Sequence, residues 1–271
     1  MTDSELAVAP YVLEEMVGPV LWLTLNRPQQ RNPLSSGMIA GLRQAMTAAN
    51  DNPQVRVVVL ASAGPVFCAG HDLREMAKRT AETGDQHTAR LRQILDECAR
   101  MMLGIMHSPK AVIGCVQGRA TAAGCQLVSA CDLAIASEGA QFCTPGVNIG
   151  IFCTTPLVGI GRNLHRKHAL ELALTGDMFT ADDALRFGLV NRAVPEVSLH
   201  AAVTEMAGKI AAKSAQAIRA GKETFYRQID MPVEAAFDYA SEEMLKGLLS
   251  SDASEGTRAF LEKRAPVWGD A

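Results

Sequence analysis

The chain lacks the features that mark a membrane-spanning or nucleic-acid-binding protein. Its 26 Lys and Arg residues and 29 Asp and Glu residues give a net charge of −3, so no basic excess predicts binding to nucleic acid or to an anionic membrane surface. No apolar run in the sequence approaches the ~18 residues that a membrane span needs. We therefore predict neither kind of partner.

The seven cysteines have neither the spacing of a metal site nor that of a disulfide framework. Their number is odd, no Cys-x-x-Cys pair is present, and several stand inside apolar runs. We therefore predict reduced thiols and no bound metal ion. The N-terminal segment MTDSELAVAP has no basic start, long apolar run or Arg-rich amphipathic pattern, so we expect no targeting peptide and a cytoplasmic protein.

Short apolar segments alternate with helical patterns through the first two thirds of the chain. We predict strands at 20–26, 55–62, 111–116 and 132–137, and helices from Ser35 or Ser36 to Asn50, at 88–107 and at 122–130. The inner face of the 88–107 helix is expected to carry Leu91, Ile94, Leu95, Cys98 and Met102. Strands that alternate with helices predict an α/β fold with mostly parallel pairing.

The strand patterns stop after about residue 196, and four helical patterns follow. No segment rich in Gly, Pro or Ser separates the two parts. We therefore predict a core at 1–196 and a helical C-terminal region at 197–271 that packs on the core as one cooperative unit.

Six blocks of sequence resemble the crotonase (enoyl-CoA hydratase/isomerase) superfamily, in that family's order. They are LNRPQQRNPLS, GPVFCAGHDLREM, GRATAAGCQLVSACDLAIAS, AQFCTPGVNIG, LTGDMFTADDALRFGLVNRAV and FLEKRAPVW. The resemblance implies a ClpP-like spiral of ββα repeats, with C-terminal helices that join the chain to copies of itself as a homotrimer or hexamer. It also implies an acyl-CoA thioester as ligand, with coenzyme A as part of the substrate and no permanently bound cofactor.

Two backbone N–H groups match the family's donors to the thioester oxygen. The resemblance assigns the first to His71 in CAGHDL and the second to Ala123, which opens the short helix after a Gly/Ala-rich turn. N–H groups at a helix start have no intrahelical acceptor and lie at the positive end of the helix dipole. Such donors stabilise negative charge on a thioester oxygen.

Both glutamates that family hydratases use are absent at the matched positions, which hold Gln126 and Gly146. An amide has no accessible pKa for proton transfer and glycine has no side chain, so hydration by two carboxylates is in doubt. His71 is the best side-chain candidate for proton transfer, while Cys153 is expected to be a buried, inert thiol. We expect Gln126→Glu combined with Gly146→Glu to create or raise hydration.

The resemblance places four further residues beside coenzyme A: Arg31, Arg74, Phe260 and Lys263. Under this resemblance the cations would bind phosphate and the ring would lie beside adenine, and the last two residues would reach the nucleotide in the same or a neighbouring subunit. Three functions stay open: an acyl-CoA enzyme with non-standard proton-transfer groups, a conventional hydratase with acids elsewhere, and a non-catalytic acyl-CoA binder.

Overall fold

The computed structural model describes residues 9–77 and 79–269, so most of the N-terminal segment discussed above lies outside the described residues. The strands are β1 (Val12–Val17), β2 (Val20–Leu25), β3 (Val57–Ser62), β4 (Val66–Cys68), β5 (Ala111–Val116), β6 (Arg119–Thr121), β7 (Leu133–Ser137), β8 (Gln141–Cys143), β9 (Phe179–Thr180) and β10 (Arg192–Val194). They form a six-stranded sheet in the order β1-β2-β3-β5-β7-β10 and a four-stranded sheet in the order β4-β6-β8-β9. All pairings are parallel except β1 with β2 and β8 with β9, which confirms the predicted α/β class.

Eleven α-helices accompany the strands in the described residues. They are α1 (Ser36–Asp51), α2 (Leu73–Met76), α3 (Gly84–Met106), α4 (Ala123–Ala130), α5 (Pro156–Asn163), α6 (Arg166–Thr175), α7 (Ala181–Phe187), α8 (Glu196–Ala211), α9 (Ala215–Gln228), α10 (Val233–Leu248) and α11 (Ser251–Leu261). One hydrophobic core joins α1, α3 and α4 to the sheet, and a second joins α8 to its other face. Because both faces are covered, β5 reads AVIGCV and all six of its residues are buried.

Local capping decides where the predicted helices begin. The Ser35 hydroxyl accepts from Met38 N at 3.2 Å, which confirms the predicted start of α1. Helix α3 begins at Gly84, four residues before its predicted start, because Thr83 and Gln86 form a reciprocal capping box. The predicted inner face of α3 was wrong at Leu95, which is 37% exposed.

Strand β1 was not predicted from the sequence. Five of its six residues are exposed, so it carries no alternating apolar pattern. It exists because its backbone pairs antiparallel with β2 in full register across a turn at Gly18, whose φ is +57°.

The C-terminal helices follow the last strand, as predicted. Helix α8 packs Leu199, Val203 and Ala207 against the sheet and therefore belongs to the core packing, whereas α9 and α10 have no fully buried residue. The division at 196/197 thus falls at the start of α8 and stays a prediction as a domain boundary.

Across residues 9–77 and 79–269, no helix has the length and apolar character needed to cross a membrane.

Candidate functional site

The two predicted donor loops lie side by side at the ends of β4 and β6. These strands pair in parallel, with Cys68 opposite Ala120, and the Thr121 hydroxyl donates to the Ala69 carbonyl at 3.0 Å. A Cβ atom added to Gly70 would lie only 3.2 Å from the backbone nitrogen of Ala123. The chain segments that carry His71 N–H and Ala123 N–H are therefore neighbours.

Helix α4 starts from a strained residue. Ala122 has φ 51° and ψ −119°, which is the first central position of a type II′ turn and is usually glycine. Its N–H donates to the Cys143 carbonyl at 2.8 Å, and its own carbonyl accepts from Gln126 N at 3.1 Å. These bonds fix Ala122, so the following Ala123 N–H points from the first turn of α4 with no intrahelical acceptor.

Close backbone packing brings α4 against β4. A Cβ atom on Gly124 would overlap the Cys68 carbonyl group, so only glycine permits this approach. Within the part of the chain that the structure describes, neither His71 N–H nor Ala123 N–H donates to another group. Ala123 itself is fully buried, and His71 is half-buried.

His71 is held by its neighbours on both sides. Gly70, with φ +88°, accepts a hydrogen bond from Leu34 N at 2.7 Å, and Asp72 caps α2 by accepting from Arg74 N at 2.9 Å. The His71 Nε2 atom is buried and has no hydrogen-bond partner among the described residues. Burial lowers the pKa of His71 below its usual value, so the imidazole is neutral near pH 7.

Gln126 lies one turn into α4 and is 7% exposed. Its side-chain oxygen, Oε1, is buried without a hydrogen-bond partner in the described residues. The Ser129 hydroxyl, one turn further along, donates to the backbone carbonyl of Gln126 at 2.7 Å and not to its side chain. Buried polar atoms without partners are rare; the described residues have three, Gln126 Oε1, His71 Nε2 and His168 Nδ1, and the first two belong to predicted site residues.

Gly146 has no space for a side chain. A Cβ atom there would overlap the Ile151 carbonyl oxygen and would lie 2.8 Å from the Cys153 sulfur. The loop after Gly146 has thus folded into the volume that a glutamate would need. We therefore revise the expectation that Gln126→Glu with Gly146→Glu would create hydration, because the new carboxylate at 146 requires this loop to move.

The cysteines near this site have the character of core residues. All seven are buried and unpaired, and burial raises the pKa of the Cys153 thiol. A neutral thiol is a poor nucleophile. This agrees with the sequence prediction of an inert Cys153.

Asn32 is a positioning residue whose side-chain contacts the sequence did not predict. It is fully buried; its Oδ1 atom accepts from Arg27 N, and its Nδ2 atom donates to the carbonyls of Ala63 and Val66, each at 2.8 Å. The adjacent Arg31 carbonyl accepts from Ala69 N at 3.0 Å. Asn32 therefore joins the turn after β2 to the segment that leads into the first donor loop.

The predicted nucleotide-binding residues fall into two groups. Arg31 and Arg74 are exposed on the segments that flank the first donor loop. Phe260 is 82% exposed near the end of α11, and Lys263 follows it with φ 55°. The single chain leaves the second pair on the surface of the helical C-terminal region.

Arg90 of α3 fixes the segment that follows the first donor loop. Its guanidinium binds both carboxylate oxygens of Glu82, at 2.8 and 2.7 Å, and donates to the carbonyls of Glu75 and Ala77. The hydrogen bonds from Arg90 lower the pKa of Glu82 to about 2. No sequence motif marked this pair, since Glu82 and Arg90 stand on different elements.

Comparison with known proteins confirms the resemblance drawn from the sequence blocks. The sequence profile of the enoyl-CoA hydratase/isomerase family matches residues 15–271. A rat protein, enoyl-CoA hydratase domain-containing protein 3, mitochondrial, is 41% identical over 246 residues, which cover 91% of this chain and 80% of the relative.

Two solved structures have closely similar folds. A structure described as an enoyl-CoA hydratase from Mycobacterium smegmatis has a TM-score of 0.90 and 43% identity, over 96% of this chain and 99% of that one. The human enoyl Coenzyme A hydratase domain-containing protein 3 has a TM-score of 0.90 and 38% identity, over 95% of this chain and 100% of that one.

Proposed function

The chain belongs to the enoyl-CoA hydratase/isomerase family, and from that premise we propose that it is an acyl-CoA enzyme that does not use the two-carboxylate hydration route. Its thioester oxygen would accept from the N–H groups of His71 and Ala123. Coenzyme A would enter as part of the substrate, with no permanently bound cofactor.

The crowding at Gly146 carries this proposal. Hydration of an enoyl-CoA needs one group to remove a proton from water and another to supply a proton to the α-carbon. At the second matched position the space is filled by the Ile151 carbonyl, which transfers no proton. At the first, the Gln126 amide orients a ligand by hydrogen bonding but does not replace a carboxylate.

We assign the proton transfer to the His71 imidazole, since the backbone N–H of the same residue is one of the two proposed donors. Because burial lowers its pKa, it is neutral and able to act as a base near pH 7. Thioester hydrolysis requires only this one group. Water loses a proton to the imidazole and adds to the carbonyl carbon, the N–H pair holds the oxyanion, and the carbon–sulfur bond then breaks as the imidazolium returns the proton to the coenzyme A thiolate.

The exposed cations near the donor loop suit the phosphates of coenzyme A. Arg31 and Arg74 flank that loop and are assigned to phosphate. Phe260 and Lys263 are assigned to the nucleotide of a neighbouring copy, because a ring that is 82% exposed in one chain gains a contact surface on assembly. We propose a homotrimer or a hexamer, and a cytoplasmic location, although the rat relative is named mitochondrial.

Turnover of a thioester panel tests the function. Purified protein would be given crotonyl-CoA, malonyl-CoA, methylmalonyl-CoA and saturated acyl-CoA, with loss of the enoyl absorbance and release of free thiol followed separately. We expect thiol release that depends on His71, and little or no hydration. The His71→Gln variant keeps the backbone donor and should lose about 10²–10⁴ in rate if the side chain transfers the proton.

A conventional enoyl-CoA hydratase is the second candidate. The observation that favours it is the 43% identity to a solved structure described as an enoyl-CoA hydratase. Hydration of crotonyl-CoA at an ordinary enzymatic rate would establish this candidate and defeat our proposal. Tight acyl-CoA binding without turnover of any thioester would leave the third function, a non-catalytic binder.

A further inference from the structure

Two adjacent cavities lie near the amino ends of β3 and β5, and no residue of the candidate site lines either of them. The first has a volume of about 430 Å³ and the second about 420 Å³. Pro109 and Arg219 line both, so the cavities share a wall. Together they have the size of a small-molecule site.

Three cations converge on the first cavity. Arg56 precedes β3, Lys110 precedes β5, and Arg219 stands on α9. Burial lowers the pKa of Lys110, and the positive charges of Arg56 and Arg219 lower it further by repulsion. Like charges held together across a cavity cost free energy unless an anion lies among them.

Few carboxylates of the described residues neutralise these three positive charges. Within residues 9–77 and 79–269, none of Arg56, Lys110 and Arg219 forms a salt bridge; Arg56 donates to the backbone carbonyl of Lys213. Two carboxylates also line the cavity. That of Asp252 is taken up by the Ser214 hydroxyl and by Gly269 N, while Asp51 is exposed at its edge.

The end of α3 does not account for these cations either. Its Ile105 carbonyl already accepts from the Lys222 ammonium at 3.3 Å, and Lys222 is paired with Asp132 at 2.7 Å. Lys110 and Arg219 are therefore not needed to cap this helix. The second cavity adds Arg227 and His107 to the same wall, and it also adds the carboxylate of Glu223.

We propose that these cavities form a binding site for a phosphate-bearing small molecule, separate from the acyl-CoA site. A phosphate or diphosphate carries the charge that three cations match, and guanidinium groups bind its oxygens in pairs. Apolar walls at Pro53, Ile210 and Ile218 leave room for a compact organic part. This site stands whether or not the proposed thioester chemistry is correct.

Calorimetric titration of the full-length protein with inorganic pyrophosphate tests the proposal, at ionic strength matched with sodium chloride. Wild type should bind, and Lys110→Gln combined with Arg219→Gln should weaken binding by roughly tenfold or more. Lys110→Arg, made alone, keeps the charge and should retain most of the wild-type affinity. Arg92→Gln removes an exposed α3 cation outside both cavities and should bind within about twofold of wild type.

A second pair of variants separates this site from the coenzyme A phosphates. Arg31→Gln combined with Arg74→Gln should leave pyrophosphate binding intact. Three results would overturn the proposal: equal affinity in the Lys110/Arg219 variant and wild type, loss of binding in the Arg31/Arg74 variant alone, or tighter binding of citrate than of pyrophosphate.

Discussion

The Ile151 carbonyl oxygen lies only 2.3 Å from the position that a Cβ atom on Gly146 would take. Gly146 is buried in a short 3-10 helix, and its carbonyl accepts from Ile151 N at 2.9 Å. The loop therefore closes on itself, with both backbone groups of Ile151 directed at Gly146. A missing side chain has been replaced by main chain and not by solvent.

Gly146→Ala should destabilise the protein. The added methyl group must displace the Ile151 carbonyl, and overpacking of this kind costs about 1–3 kcal/mol. Denaturant unfolding would measure the free-energy difference. Gly104→Ala on α3 is the control, because nothing lies within 4 Å of its new atom and alanine favours a helix. Equal stability of the two variants would contradict the crowding.

Gln126→Glu combined with Gly146→Glu should not hydrate crotonyl-CoA. The carboxylate at 146 would have to push the Ile151–Cys153 loop outward, which disturbs the site that it should complete. The enoyl absorbance of crotonyl-CoA, followed over time, is the measurement. Gln126→Glu alone is the paired variant, since it changes no volume at 146. Fast hydration by the double variant would show that the loop yields easily.

Gly70→Ala should reduce thioester turnover strongly. Its φ of +88° disfavours alanine, and the new methyl would stand 3.2 Å from Ala123 N, where it obstructs that donor. Loss of one oxyanion donor costs about 10²–10³ in rate. Gly188→Ala is a matched control: its φ is +93° and its new atom would lie 3.2 Å from the Asn163 carbonyl oxygen, on segments that carry neither donor. Similar kcat values for the two variants would argue against Ala123 N–H as a donor.

Asn32→Ala should cost roughly 2–4 kcal/mol of stability. The change leaves Arg27 N and the carbonyls of Ala63 and Val66 without their buried partner. Thermal and urea unfolding would measure the loss. Asn52→Ala removes an exposed asparagine whose side chain, among the described residues, accepts from Gln54 N alone, so its effect should be much smaller. A small loss at Asn32 would mean that water replaces these bonds.

Acid should weaken the salt bridge between Glu82 and Arg90. The pKa of Glu82 is about 2 in the folded protein, against an ordinary value of 4.5. A depressed pKa gives stability that is complete above pH 4.5 and is lost as the pH falls toward 2. Urea unfolding midpoints of wild type and Glu82→Gln, measured at pH 6, 4.5 and 3, should therefore converge as the pH falls. Glu138→Gln, at an exposed position, should run parallel to wild type.

Local signals explain what the sequence predicted well. Ser35 caps α1 through atoms three residues away, and the buried strands carry their own apolar runs. The adjacency of the two donor loops followed from the family's motif order. These features depend on neighbours in sequence or on a known pattern.

The sequence does not predict contacts between segments that are far apart along the chain. The partners of Asn32 lie 31 and 34 residues further along the chain, and the crowding at Gly146 depends on how residues 151–153 turn back. The prediction for Leu95 is wrong because the face of α3 that packs on the core carries Met101 and Ile105. Each of these depends on packing that no local pattern encodes.

The pairing of β4 with β6 sets the spacing between the main-chain groups at His71 and Ala123. Alanine scanning leaves both groups in place, so it would not detect them. For protein engineering, the two N–H groups stay in fixed positions when the side chains around them are changed. Libraries at Gln126, at Cys153 and at the imidazole of His71 would vary the side chains around the proposed thioester site while the sheet holds these two main-chain groups in place.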